Sequence, residues 1–153
     1  MNTQLINHHP EVEKTARLTI SGLHLILPQR EIRVLESASE VDTREAGVFS
    51  VGWINHDQKR WPVYCLSQQL SLLDTVPAER RVCALIKIEN NYMGILCDNA
   101  SIESIVGKWH DIPASMRLPD TPLLGLIVSE ENILACASSA ERLAAYVLRL
   151  AGV

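Results

Sequence analysis

Short apolar runs separated by turn residues dominate the chain. Leu18-Thr19-Ile20 and Leu23 to Leu27, joined through Ser21-Gly22, read as a hairpin, and Pro28 ends its second strand. Ile32, Val34 and Leu35 suggest a third strand; a short helix stays open there, because Glu31 to Glu36 has no strong breaker. Ser37 to Ala46 is polar and loop-like. Val48 to Ile54 and Trp61 to Leu66 form a second hairpin around the polar turn Asn55-His56-Asp57-Gln58. Pro62 cannot donate to a ladder, so it places the second of these strands at an edge or at a bulge. Ser67 can cap a short helix carrying Leu70 and Leu73, and Leu72 to Arg81 is a linker with Pro77. Val82 to Ile88 and Tyr92 to Cys97 make a third hairpin around Asn90-Asn91, and Ile102 to Val106 a further strand. Gly107 to Pro122 holds three prolines and Trp109 and reads as a long irregular loop.

The last hairpin is Leu123 to Val128 with Ile133 to Ala137. A helix closes the chain: Ser138 with Glu141 has capping-box spacing, Leu143, Val147, Leu150 and Ala151 share a face, and Gly152 can terminate it. The class is all-β with one C-terminal α-helix. A faint internal repeat sets Leu23 to Leu35 against Met93 to Ile105, and Gly52 to Leu70 against Gly125 to Leu143, pairing Ile32 with Ile102 and Ile54 with Ile127. Two small barrels sharing a core follow from that order. The organisation expected is a polar tail over 1–15 and one domain over 16–153.

Composition narrows the classes. A chain of 153 residues is the size of one domain. A net charge of -4 argues against a nucleic-acid surface, which needs a cationic footprint. The pairs Lys59-Arg60 and Arg80-Arg81 are too short to supply one and read as solvated turn charges. No run approaches the roughly 18 apolar residues of a bilayer span, so no membrane insertion is expected. The start lacks a basic n-region and an apolar core, so a cytoplasmic location is expected. Cys65, Cys83, Cys97 and Cys136 form no C-x-x-C pair and lie in apolar strand patterns, as buried free thiols do.

Candidate chemistry is sparse. There is no nucleophile elbow, no H-E-x-x-H and no phosphate loop. Cys65, with Lys59-Arg60 upstream, is the one thiol whose setting could suit reactivity; burial is the plainer reading. His8-His9, His56-Asp57 and His110-Asp111 are too isolated for a metal site. No catalytic residue, metal or cofactor is expected. Trp53 and Trp61 flank one hairpin and should pack, which leaves Trp109 as the better surface anchor.

The stretch Gly52-x-Ile54-Asn55, then Pro62-Val63-x-x-Leu66, resembles the central motif of the CheW-like domain family, G-x-x-N-L-R-G-x-x-x-P-V-x-D-L, without a gap. Met93 to Asp98, Leu124-Gly125 and the closing strand and helix extend the resemblance over about residues 16 to 150. It implies two SH3-like five-stranded barrels sharing a core. It also implies a non-enzymatic adaptor that binds a CheA-type histidine kinase regulatory domain, chemoreceptor helices, or both. A degenerate domain serving a different regulator is the alternative, and a cysteine- or metal-dependent enzyme a remote one. The protein-binding residues implied or singled out are Ile32, Val34, Asn55, His56, Asp57, Gln58, Pro62 and Trp109. The sequence departs from the motif where charge matters. The family's Arg is Asp57, its Gly is Gln58, its Asp is Cys65, and the Glu of its V-x-E-I strand is Val34. The resemblance makes that Glu and Arg charge partners; here both are replaced together.

Overall fold

The computed structural model describes residues 14–104, 107–116, 121–129 and 131–152. The expected tail residues 1–13, with His8-His9, and the strand end at Val106 lie outside them. Eleven strands and one helix form the described fold: β1 Thr15–Ile20, β2 Leu23–Pro28, β3 Ile32–Ser37, β4 Gly52–His56, β5 Lys59–Cys65, β6 Val82–Ile88, β7 Asn91–Cys97, β8 Asn99–Glu103, β9 Gly107–His110, β10 Gly125–Ser129, β11 Leu134–Ala137 and α1 Ala140–Leu150. They make two curled sheets, ordered β8-β1-β2-β11-β10-β9 and β3-β6-β7-β5-β4.

The two orders are the same pattern written twice. Each sheet has an antiparallel trio, then one parallel pairing (β2 with β11, β7 with β5), then the antiparallel partner of that last strand. The sixth strand, β9, has its counterpart in the isolated bridge of Asp42 to Trp53. The internal repeat is therefore real in space, but the halves exchange strands. The sheet that holds β1 and β2 takes its other four strands from the second half of the chain. Gly52 and Gly125 open equivalent strands and meet equivalent pressure. A Cβ on Gly52 would lie 2.3 Å from the Asp42 carbonyl oxygen, and one on Gly125 would lie 2.2 Å from the Trp109 indole.

A shared core lies between the sheets. Leu18, Ile20, Leu25 and Leu27 of one meet Ile86, Met93 and Ile95 of the other, and α1 adds Leu143 and Val147. A second cluster, with Ile54, Trp61, Val63, Leu85 and Leu96, fills the five-stranded sheet's own interior. Strands β6 and β7 therefore run as nearly continuous apolar segments, buried on both faces.

Several local expectations shift. β4 starts at Gly52, not Val48: Val48 is 89% exposed and Phe49 is exposed too. No helix follows Ser67. Its hydroxyl accepts from the backbone of Gln69 and Ser71, closing a turn that places Leu70 in the core at positive φ. The β6–β7 turn is Glu89-Asn90, one residue earlier than expected, with the positive φ on Glu89. The expected loop from Gly107 begins as strand β9, so Trp109 pairs opposite Ile127. The cap of α1 is Ser139, whose Oγ accepts the Arg142 N–H at 3.1 Å. Ser138 is buried and donates to the Pro122 carbonyl. Leu150 is exposed, while Ala140, Ala144 and Ala151 complete the buried face and Gly152, at φ 76°, ends the helix. Arg80 is no solvated turn charge; only 4% of it is exposed.

Candidate protein-binding surface

The β4–β5 hairpin positions most of the residues singled out above. Its register runs Gly52 to Val63, Trp53 to Pro62, Ile54 to Trp61, Asn55 to Arg60 and His56 to Lys59. That leaves Asp57-Gln58 as a two-residue turn with φ 50° and 62°. Positive φ at both central positions is the primed turn that matches the twist of a hairpin. Asp suits the first position; Gln at the second has no backbone preference to offer. Pro62 sits in an inner strand, yet the parallel pairing of β5 with β7 begins only at Val63, so at Pro62 the strand is locally an edge.

The hairpin is stiffened from below and on one flank. Trp61 is buried, donates from Nε1 to the His56 carbonyl at 2.9 Å, and meets His56 and Tyr92 edge-on at 5.5 and 5.1 Å between centroids. Lys59 lies over Tyr92. On the flank, Trp53 donates to the Glu45 carbonyl at 2.6 Å, Arg60 stacks on Trp53 at 4.5 Å, and Arg60 pairs with the Glu45 carboxylate at 3.0 Å. Asp42 and Trp53 exchange backbone hydrogen bonds, which ties the loop before the hairpin to it. Hydrogen bonds from Arg44 hold the Asp42 carboxyl at about 2.

Asn55, Asp57 and Gln58 are exposed at the tip, and His56 is half-buried. The His56 Nε2 lies 3.4 Å from the Asp57 carboxylate. Ile32 and Val34 lie on the opposite outer strand, β3, whose pairing with β6 shifts between them. The bulge sends them to different faces. Ile32 packs on the shared core, and Val34 on the cluster of Ile54, Trp61 and Leu85. An apolar side chain at position 34 thus belongs to an interior. Trp109 lies on the other sheet, half-buried over Gly125, so the structure does not gather it with the hairpin residues.

The thiols are set against reactivity. All four cysteines are buried and unbridged. Burial pushes the Cys65 thiol up despite the neighbouring Arg80, raises Cys97 and Cys136, and takes Cys83 to about 12. Among the described residues no three His, Cys, Asp or Glu side chains converge on a metal position, and no helix is long and apolar enough to cross a membrane.

Two curled sheets of this order, with the closing helix seated on their common core, define the CheW fold, a pair of SH3-like barrels. Among solved structures the chain is similar to the scaffolding protein TtCheW from Thermoanaerobacter tengcongensis, with a TM-score of 0.61 and 13% identity over 82% of this chain and 88% of that one. No family model matches the chain, and no curated protein matches it. The likeness is one of fold.

Proposed function

We propose that this chain is a cytoplasmic, non-enzymatic adaptor of the chemosensory type. It binds a CheA-type histidine kinase regulatory domain, chemoreceptor helices, or both, by protein–protein contacts. The observation that carries this reading is the fold, which is similar to that of a scaffolding protein over 82% of the chain. The contact surface proposed is the β4–β5 tip of Asn55, His56, Asp57 and Gln58 with Pro62 behind it; Ile32 and Val34, which pack inward from β3, support it from within, and Trp109 on the other sheet would be a separate contact. A second reading has the domain serving a different regulator. It is favoured by one pair of substitutions relative to the motif: Val34 packs inward, and Asp57 carries the opposite sign at the exposed tip.

Charges at an interface rim alter association rate and partner choice more than raw affinity. The purified chain and its Asp57→Arg variant are compared for binding to the kinase regulatory domain of the same organism, at low and high salt. Weak wild-type binding, strengthened by the reversal and less so at high salt, would favour the second reading. Tight wild-type binding that the reversal weakens would show that the coupling surface is intact and that Asp57 is part of it.

A further inference from the structure

A second feature of β3 lies outside the hairpin. Arg30, Glu31, Ile32, Arg33, Lys87 and Ile88 line an open cavity of about 520 Å³ where β3 begins and β6 ends. Its size is that of a small-ligand or side-chain pocket. Three of the six lining residues are cationic, in a chain whose net charge is -4. The single acid among them, Glu31, turns its Oε1 to the Ala140 N–H at the start of α1, at 2.7 Å, and the lining keeps an excess of positive charge. Arg33 is the residue passed over where the β3–β6 register shifts between Ile32 and Val34. Bulges re-aim side chains in this way. Among the described residues, neither Arg33 nor Lys87 makes an ion pair or a side-chain hydrogen bond, so both cationic heads are available to a ligand. Ile32 and Ile88 supply an apolar wall between the charges.

We propose that this cavity is a docking site for an acidic segment of a partner protein, with carboxylate side chains received by Arg33 and Lys87 and an aliphatic residue lying on Ile32 and Ile88. Charge complementarity selects the partner, and the apolar wall selects a peptide over a small inorganic anion. The inference deepens the adaptor reading by stating the chemistry of one partner, and it rests on that reading for the partner being a protein. It also separates two surfaces by sign: a negative tip at Asp57 and a positive pocket at Arg33.

The test uses the whole chain, isotope-labelled for amide NMR. It is titrated with a short peptide of glutamate and leucine, with its lysine–leucine counterpart, and with inorganic phosphate. The acidic peptide should shift the amides of Arg33, Lys87 and Ile88, and its affinity should fall at least tenfold in an Arg33→Glu/Lys87→Glu variant and with rising salt. An Arg81→Glu control, an exposed cation elsewhere, should leave the affinity within about twofold. Equal loss in the control would mean non-specific attraction and overturn the proposal. So would phosphate competing at the peptide's own concentration, or an absence of shifts at the three amides. Unfolding midpoints of both variants check that the fold is kept. If the acidic peptide binds as expected while neither the kinase regulatory domain nor chemoreceptor helices bind wild type or variant, the adaptor reading fails and the pocket stands.

Discussion

Arg80 and Asp98 form an ion pair at the junction of the two sheets, with the Arg80 side chain wholly buried. The same guanidinium donates to the Ser21 hydroxyl at 3.0 Å and to the Leu66 carbonyl at 2.7 Å, while Asp98 accepts the Ser21 N–H at 2.9 Å. One cation thus fastens the β1–β2 turn, the end of β5 and the β7–β8 corner. Its Nε is the one buried side-chain polar atom without a partner among the described residues.

Removing one member of this pair should be costly. Asp98→Ala leaves a buried guanidinium without its counter-charge, and a loss of roughly 3–5 kcal/mol in denaturant unfolding is expected. Arg80→Met with Asp98→Asn together should cost less than the two single changes summed. A loss below about 1 kcal/mol for Asp98→Ala would mean the site relaxes or admits water.

The helix start offers a sharper comparison. Ser139→Ala should cost about 1 kcal/mol as loss of an N-cap. Glu31→Gln weakens a cap that comes from 109 residues away and should also destabilise, whereas Glu141→Gln should not. Thermal or urea unfolding of the three variants orders them. Were Glu141→Gln the most damaging, a local capping box would operate after all.

On the same helix, Leu143→Ala should lose about 2–5 kcal/mol, because Leu143 is fully buried in the shared core. Leu150→Ala, at an exposed position, should change stability by less than about 0.5 kcal/mol. Similar losses at both sites would contradict the packing.

The turn should be improvable. Gln58 holds φ 62°, a conformation that costs a non-glycine residue about 1 kcal/mol. Gln58→Gly is expected to raise stability by up to about 1 kcal/mol. A drop on equilibrium unfolding would show that the Gln58 side chain makes a contact worth more than the strain.

Alkaline pH should weaken the fold through the thiols. A thiol raised by burial keeps its full contribution below its ordinary value of 9.0 and loses it as pH climbs toward the folded-state value, about 12 for Cys83. Stability should therefore fall between pH 9 and 12, and less steeply in Cys83→Ala. A thiol reagent at pH 8 should react slowly with the native chain and with all four cysteines once it is unfolded. Fast native labelling of Cys65 would reopen the case for a reactive thiol.

Much of the architecture was legible because strand burial writes itself into apolar runs. The strands of the four hairpins, β3 and the helix follow directly from such runs, and the repeat could be aligned at Gly52 with Gly125. What was not legible depended on distant partners. Nothing local distinguishes Ser138 from Ser139 as a cap; the Pro122 carbonyl takes Ser138's hydroxyl and leaves Ser139 the role. Nothing local marks Arg80 as buried beside the exposed Arg81, since its acid lies 18 residues on. Trp109 looked unstructured among prolines, and only β10 makes its segment a strand. The cavity at Arg33 and Lys87 joins two strands and depends on a bulge, which no spacing in the sequence announces.

The exchange of strands between the two halves also sets when each barrel can form during synthesis. β1 and β2 leave the ribosome first, but β8 and β11, which flank them, end only at Glu103 and Ala137. The earliest hairpin must wait for nearly the whole chain before its sheet is complete. The five-stranded sheet needs nothing beyond Cys97 and is free to assemble sooner. A nascent chain stalled with Cys97 just clear of the exit tunnel would hold one complete five-stranded sheet and one orphan hairpin whose apolar side chains are a target for chaperones. Non-local pairing of this kind is slow, so the order of translation, not the sequence of either half, schedules the second barrel.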